Sequence, residues 1–354
     1  MTGDSMGAKL VHPIPPPPRS AMAALWEGWI PAWDRLAEEP RGIEWINEAG
    51  RFQEGPFYDE SIALLLQRHP RIGRNVTSPA TVHQVAEAID GLSPSGFIFH
   101  MSRCGSTLVQ NALRCLDGTL VPGEPDVLSS LLLGSVPGPR PRGAAAAAQA
   151  ERDALLRSLV KVFGRRRTKH DRRLFIKFAS LETVRLDVVR RLWPDVPWLF
   201  IYRDPVDVVV SNMARPSGWM DRPTPEQVKR YFGWGPRTVD AMTREEYCAR
   251  AVSHFCGVAA DSADAKAHLL NYEDIDLERL VAVMDAFGVH PTRAERARIE
   301  KSLRVYSKDP RGKRRFIADT ALKRRIAGPA VHGAVKQWAL PTYRLLNRHR
   351  RRIR

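Results

Sequence analysis

Two short segments carry residue types that can do chemistry on anions. The first is Met101-Ser102-Arg103-Cys104-Gly105-Ser106-Thr107-Leu108. Gly105 and its small neighbours allow a turn tight enough to aim several backbone N–H groups at one point, and a helix starting there adds the positive end of its dipole. Ser106 and Thr107 add hydroxyl donors, and Arg103 adds a permanent cation. The second segment is Arg203-Asp204-Pro205-Val206-Asp207-Val208-Val209-Val210-Ser211. Asp204 suits a helix N-cap and Pro205 the first helical position. Arg203 then ends the preceding apolar run, and Ser211 lies two turns into the helix. A phosphate there takes charged hydrogen bonds from Arg203 and one hydroxyl bond from Ser211. Each segment also has a plainer reading. The first is then an ordinary strand-to-helix connection, and the second an arginine paired with Asp204 or Asp207.

Proton transfer needs a further group. Glu124 follows the first helix in Val121-Pro122-Gly123-Glu124-Pro125 and is the first candidate for a base. To hold a proton well it needs its pKa raised by burial. His100, at the end of an apolar run, is the second candidate, against the plainer role of a core histidine. Lys177 can neutralise a leaving group or can be buried against an acidic neighbour. Cys104 is a poor nucleophile candidate. Phosphatase loops place an arginine five residues after the cysteine, and position 109 here is Val109.

Elements must hold these groups in place. Phe97 to Met101, Leu174 to Phe178, Trp198 to Tyr202 and His268 to Tyr272 read as buried strands. Amphipathic or helix-favouring stretches separate them: Leu108 to Leu116, Ala144 to Phe163, Leu181 to Leu192, Pro205 to Ala214 and Leu277 to Gly288. Alternation of this kind predicts an α/β fold: three layers, a parallel sheet flanked by helices, with P-loop-like nucleotide binding. Ligands of such sheets bind at the carboxyl ends of the strands, where both segments fall.

Residues 1–20, with the run Pro15 to Pro18, read as a disordered proline-rich tail. Residues 21–95 read as a mostly helical accessory layer, with Leu25, Trp29, Trp33 and Leu36 at helical spacing over Ala21 to Glu39. The α/β domain spans 96–354, and its basic end reads as a solvated tail. Gly164 to Arg173 reads as a basic loop. The 354 residues carry a net charge of +16, which favours anionic partners. No stretch suits a bilayer span and no apolar leader is present, so a cytoplasmic location is expected. Cys104, Cys115, Cys248 and Cys256 lack metal-ligand spacing and are expected as reduced thiols, with no metal site.

The first segment resembles the 5′-phosphosulfate loop of the sulfotransferase family, where Lys or Arg precedes Ser/Cys-Gly-Ser/Thr-Thr. Here that is Arg103-Cys104-Gly105-Ser106-Thr107. The second is similar to the family's 3′-phosphate motif: Arg, an acidic or amide residue, Pro, then Ser eight positions after the Arg. Lys177 lies where relatives often carry Lys, and Asn271-Tyr272-Glu273-Asp274-Ile275 resembles the family's Tyr-Glu-Asp-Leu strand end. The resemblance covers about residues 96–288. It implies a co-substrate, 3′-phosphoadenosine 5′-phosphosulfate (PAPS). Ser102, Arg103, Cys104, Gly105, Ser106 and Thr107 would hold its 5′ end, and Arg203 and Ser211 its 3′-phosphate. The implied reaction moves a sulfuryl group to a small-molecule or acidic acceptor without metal. Many relatives use a His just after the strand lysine. Here Phe178-Ala179-Ser180 follows, which turns attention to Glu124. Glu273 and Asp274 are expected to cap the next helix, and the loose match Arg311-Gly312-Lys313-Arg314 to cover the 3′-phosphate, to bind an acidic acceptor or to be merely solvated.

Two other functions remain open at this level. A P-loop kinase needs a loop lysine and acidic residues for Mg²⁺, and the loop lacks the lysine. A nucleic-acid binder would use the basic C-terminal part, but no reader motif is present.

Overall fold

The computed structural model describes residues 19–35, 42–48, 50, 55–134, 142–221, 224–305, 307 and 320–352. Strands β1 (Trp29–Asp34), β2 (Ile43–Asn47) and β3 (Arg74–Thr77) form an antiparallel sheet in that order. This corrects the helical reading of 21–95. The helix from Arg19 stops at Leu25 and the chain turns into β1. Pro31 explains why. Inside a helix it costs about 3 kcal/mol, whereas an edge strand tolerates its missing N–H. The β1–β2 register shifts just after it, between Pro31 and Trp33. Two helices do form in the layer, Tyr58–Arg68 and Pro79–Ala88, the second capped by Ser78.

A second sheet holds β4 (Pro94–His100), β5 (Thr119–Leu120), β6 (Arg173–Lys177), β7 (Trp198–Tyr202) and β8 (Ala267–Asn271). Its order is β5-β6-β4-β7-β8, all parallel, flanked by helices. All five residues of β7 and the last five of β4 are buried. That is the composition expected of central strands covered on both faces. From β4 the chain winds to one side through β5 and β6, then crosses to β7 and β8. The switch point lies at the carboxyl end of β4, between β6 and β7, where a parallel sheet opens a crevice.

The helix Ser106–Arg114 follows β4 and packs on Arg293–Leu303. Pro205–Ala214 follows β7 and packs on Arg244–Asp261, whose buried face is Cys248, Val252, Phe255 and Cys256. The segment read as one helix from Leu181 opens with a 3₁₀ turn, Ser180–Arg185, before the α-helix Leu186–Leu192. The C-terminal end is helical to Arg352 rather than frayed. Tyr202 donates to Asn347 at 2.9 Å, Asn271 to Tyr343 at 3.0 Å, and Arg350 pairs with Asp274. Among the described residues no helix is long and apolar enough to cross a membrane.

The apolar core is continuous from the N-terminal sheet into the parallel sheet. Phe99 is fully buried at its centre, stacked on Phe178 at 4.8 Å. Phe99→Ala is expected to lower unfolding free energy by about 3–5 kcal/mol, read from the shift of the urea midpoint at unchanged slope.

Candidate functional site

Met101 to Gly105 links β4 to the helix Ser106–Arg114 through strained backbone. Ser102 (φ 75°), Arg103 (φ 49°) and Gly105 (φ 86°) all take left-handed values. Ser102 and Arg103, with Glu124 (φ 56°), are the non-glycine residues of positive φ among the described residues. Strain of this kind persists where the surroundings enforce it, and here all of it falls on the candidate site. Backbone of this kind turns the chain tightly into a helix N-terminus, where peptide N–H groups suit an anion. Ser106 and Thr107, both buried, open the helix.

Gly105 also answers to a neighbour. A Cβ there would lie 2.6 Å from the Tyr272 ring. Tyr272 follows β8, and its ring also carries Arg203, the guanidinium carbon 4.2 Å from the centroid. One aromatic ring thus joins the two segments singled out from the sequence. More contacts bind them. Arg203 N donates to Met101 Sδ at 3.1 Å, and Ser102 Oγ meets Ser217 Oγ at 2.8 Å. Arg103 donates to the Arg215 carbonyl at 2.5 Å, just beyond the second helix. The two strand tips are in direct contact.

Arg203 is buried and held by Asp207 at 3.0 Å and by the Thr320 hydroxyl at 2.7 Å. Asp204 accepts from Val206 N at 2.9 Å and Pro205 takes the first helical position, as the residue types require. Ser211 donates to the Asp207 carbonyl at 2.6 Å, one turn back in its own helix. The plainer arginine–aspartate pair and the nearby hydroxyl therefore coexist. Arg324 adds a second cation, 2.9 Å from Glu273, 3.4 Å from Asp204 and 3.9 Å from Asp207. Glu273 and Asp274 face Arg324 and Arg350 and do not cap the next helix. Its cap is Asp276, which accepts from Arg279 N at 2.7 Å. Arg311 to Arg314 lie outside the described residues.

The proton-handling candidates meet at the ends of β4 and β6. Glu124 N donates to the Lys177 carbonyl at 2.7 Å, which extends the β5 chain alongside β6. The Glu124 carboxylate takes Lys177 Nζ at 2.5 Å and lies 3.4 Å from His100 Nε2. Lys177 is fully buried. Burial alone raises the Glu124 carboxyl, but the Lys177 ammonium and His100 more than offset it and leave it well below the usual carboxylate range. Burial was expected to raise this group; the buried cation reverses the sign. Ser102 N donates to His100 Nδ1 at 3.1 Å. In neutral His100 that puts the ring proton on Nε2, which faces the Glu124 carboxylate at 3.4 Å. Cys104 is buried, its Sγ 3.0 Å from the Ile201 carbonyl, and burial pushes its thiol up to about 12. It is no nucleophile.

Three acidic neighbours were not legible beforehand. Burial, then Asp126, pushes Asp59 up to about 7. Burial raises Asp126, whose N–H donates to Asp59 at 3.2 Å. Burial pushes Glu182 up to about 8, although it accepts from Ser129 and, at 2.9 Å, from Ala179 N. These partners come from separated stretches of chain, so no local pattern announces them. Among the described residues no cluster of His, Cys, Asp or Glu is arranged to hold a metal ion.

No protein-family model matches the chain, and no curated protein does. Solved structures resemble it, among them the following three. A sulfotransferase from Mycobacterium tuberculosis is 13% identical, covering 62% of this chain and 77% of that one, with a TM-score of 0.35. The sulfotransferase domain of the Synechococcus olefin synthase is 18% identical, covering 73% and 95%, with a TM-score of 0.42. A sulfotransferase from Alicyclobacillus acidocaldarius is 13% identical, covering 69% and 96%, with a TM-score of 0.35. At this overlap and identity they are likenesses of fold and carry nothing about donor or acceptor.

Lys177→Met leaves the Glu124 charge uncompensated and is expected to cost about 3–5 kcal/mol at pH 7. The loss should shrink as pH falls toward 4, because the variant's Glu124 then takes up a proton that the parent's refuses. Denaturant titrations of both proteins at several pH values check this. Glu182 gives a second readout of opposite sign. Its native value lies above its unfolded one, so its contribution to stability is complete below about 4.5 and is lost as pH rises through about 8. Glu182→Gln should remove that decline and leave stability at pH 5 little changed.

Proposed function

We propose that the protein is a sulfotransferase that moves the sulfuryl group of PAPS to a hydroxyl or amine acceptor. The observation that carries this reading is the Tyr272 ring in contact with both Gly105 and Arg203, which joins the two strand tips. A nucleotide with phosphates at both ends of its ribose matches two such tips. Arg103, Ser106, Thr107 and the loop amides would take the 5′ end. Arg203, with Ser211 and Arg324 nearby, would take the 3′-phosphate by exchanging part of the Asp207 pairing for a phosphate.

In the reaction the acceptor oxygen or nitrogen bonds to sulfur while the sulfur–oxygen bond to the 5′-phosphate breaks. The acceptor proton goes to a base, and 3′-phosphoadenosine 5′-phosphate (PAP) leaves as an anion. The protein's contribution is positioning and charge neutralisation. Lys177 is the cation beside the transfer point. As it turns to the charge growing on the leaving oxygen, Glu124 loses its counter-charge, and burial then favours proton uptake. The base is thereby held inactive until the leaving group recruits the lysine. His100 keeps its Nε2–H toward the carboxylate and acts as a positioning residue.

Two measurements test the reading. PAP should raise the melting temperature, and ATP with Mg²⁺ should not; the reverse would favour a kinase. With labelled PAPS and an acceptor panel of sugars, phenols and amines, label should move to an acceptor. Glu124→Gln should then lower kcat by about 10²–10⁴-fold with PAP affinity retained.

A further inference from the structure

The loop from Arg166 to Arg172 lies at the other end of β6 from Lys177. Four residue steps of an extended strand separate Arg173 from Lys177, about 13 Å. The sequence reads this loop as basic and solvated. Its structure is more specific. The Asp171 carboxylate turns inward and accepts from Arg167 N at 2.7 Å, Thr168 N at 2.9 Å and Thr168 Oγ1 at 3.1 Å. The Arg172 and Arg173 amides donate to the Gly118 carbonyl at 2.9 and 3.1 Å. Gly118 (φ 65°) cannot be replaced without disturbing the loop, since a Cβ there would lie 2.0 Å from the His170 carbonyl. The backbone is pinned at both ends.

Between this loop and the Asp117–Gly118 turn is a cavity of about 590 Å³. That size suits a small ligand. Lys169, His170 and Arg172 line it, are exposed, and have no acidic partner among the described residues. The acids nearby are already engaged. Asp117 pairs with Arg298 at 2.6 Å, Asp90 with Arg166 at 2.9 Å, and Asp171 with its own loop. A fixed backbone thus holds basic side chains together around a concavity, and the two carboxylates that line it with them, Asp117 and Asp171, already have partners. A multivalent anion relieves that repulsion and gains charge-assisted hydrogen bonds.

We propose that this cavity is a second anion site, for a compact ligand carrying two or more phosphate or sulfate groups. It does not depend on the sulfotransferase reading, because it shares no residue with the nucleotide crevice. Inorganic pyrophosphate is the probe. Its binding to the full-length protein is measured by calorimetry for the parent, for Arg203→Gln, and for Lys169→Gln/His170→Gln/Arg172→Gln. The triple variant changes exposed side chains only, and an unchanged melting temperature checks its fold. The expected result is a pyrophosphate isotherm that survives Arg203→Gln and weakens about tenfold or more in the triple variant, one charge-assisted hydrogen bond or more. No binding in the parent, binding lost with Arg203→Gln alone, or binding unchanged in the triple variant would each overturn the proposal. Retention of a long polyanion such as RNA with no pyrophosphate binding would also overturn it, by assigning the surface to macromolecular charge.

Discussion

The Tyr272 ring, with Gly105 against it and the Arg203 guanidinium over it, is the contact on which the crevice depends. It ties the turn after β4, the tip of β7 and the end of β8 into one unit. The close approach needs an α-carbon without a side chain. The cation needs an aromatic face, where a partly desolvated arginine gains about 1–2 kcal/mol. Asp207 and Thr320 then orient the guanidinium plane. The strained φ values of Ser102 and Arg103 are tolerated because this unit over-determines them.

Charged groups lie on both sides of that unit. Arg103, Arg203 and Arg324 stand at the two strand tips, with Asp204, Asp207 and Glu273 as partners of the last two. Carboxylates gather on the side of β5 and β6: Asp59, Glu124, Asp126 and Glu182. Lys177 lies at the boundary, fully buried and paired with Glu124. A buried ion pair of this kind contributes little net stability over an apolar pair, since desolvation opposes its attraction.

The parallel sheet was legible from the sequence because its strands are continuous apolar runs, which only buried strands need. The turns and helix starts of the two candidate segments were legible because loop glycine, helix cap and helix-first proline are local signals. The N-terminal layer was misread. Trp29 and Trp33 stand at helical spacing, and Pro31 between them was the overlooked warning. Asp59 and Glu182 stayed hidden because their environment comes from distant stretches of chain. The sign of the Glu124 shift was missed for the same reason. Its cation lies 53 residues away in sequence and reaches it only through the pairing of β5 with β6. Arg324 and Thr320 lay within a basic stretch whose general charge gave no hint of which residue would reach Arg203.

The central claim is that the two strand tips hold opposite ends of one nucleotide. Affinities for PAP and adenosine 5′-monophosphate, which differ by the 3′-phosphate, test it most directly in the parent, Arg103→Gln and Arg203→Gln. The account predicts that the parent prefers PAP, that Arg103→Gln weakens both ligands while keeping the preference, and that Arg203→Gln brings the ratio close to one. An Arg203→Gln protein that still prefers PAP as strongly as the parent would contradict it.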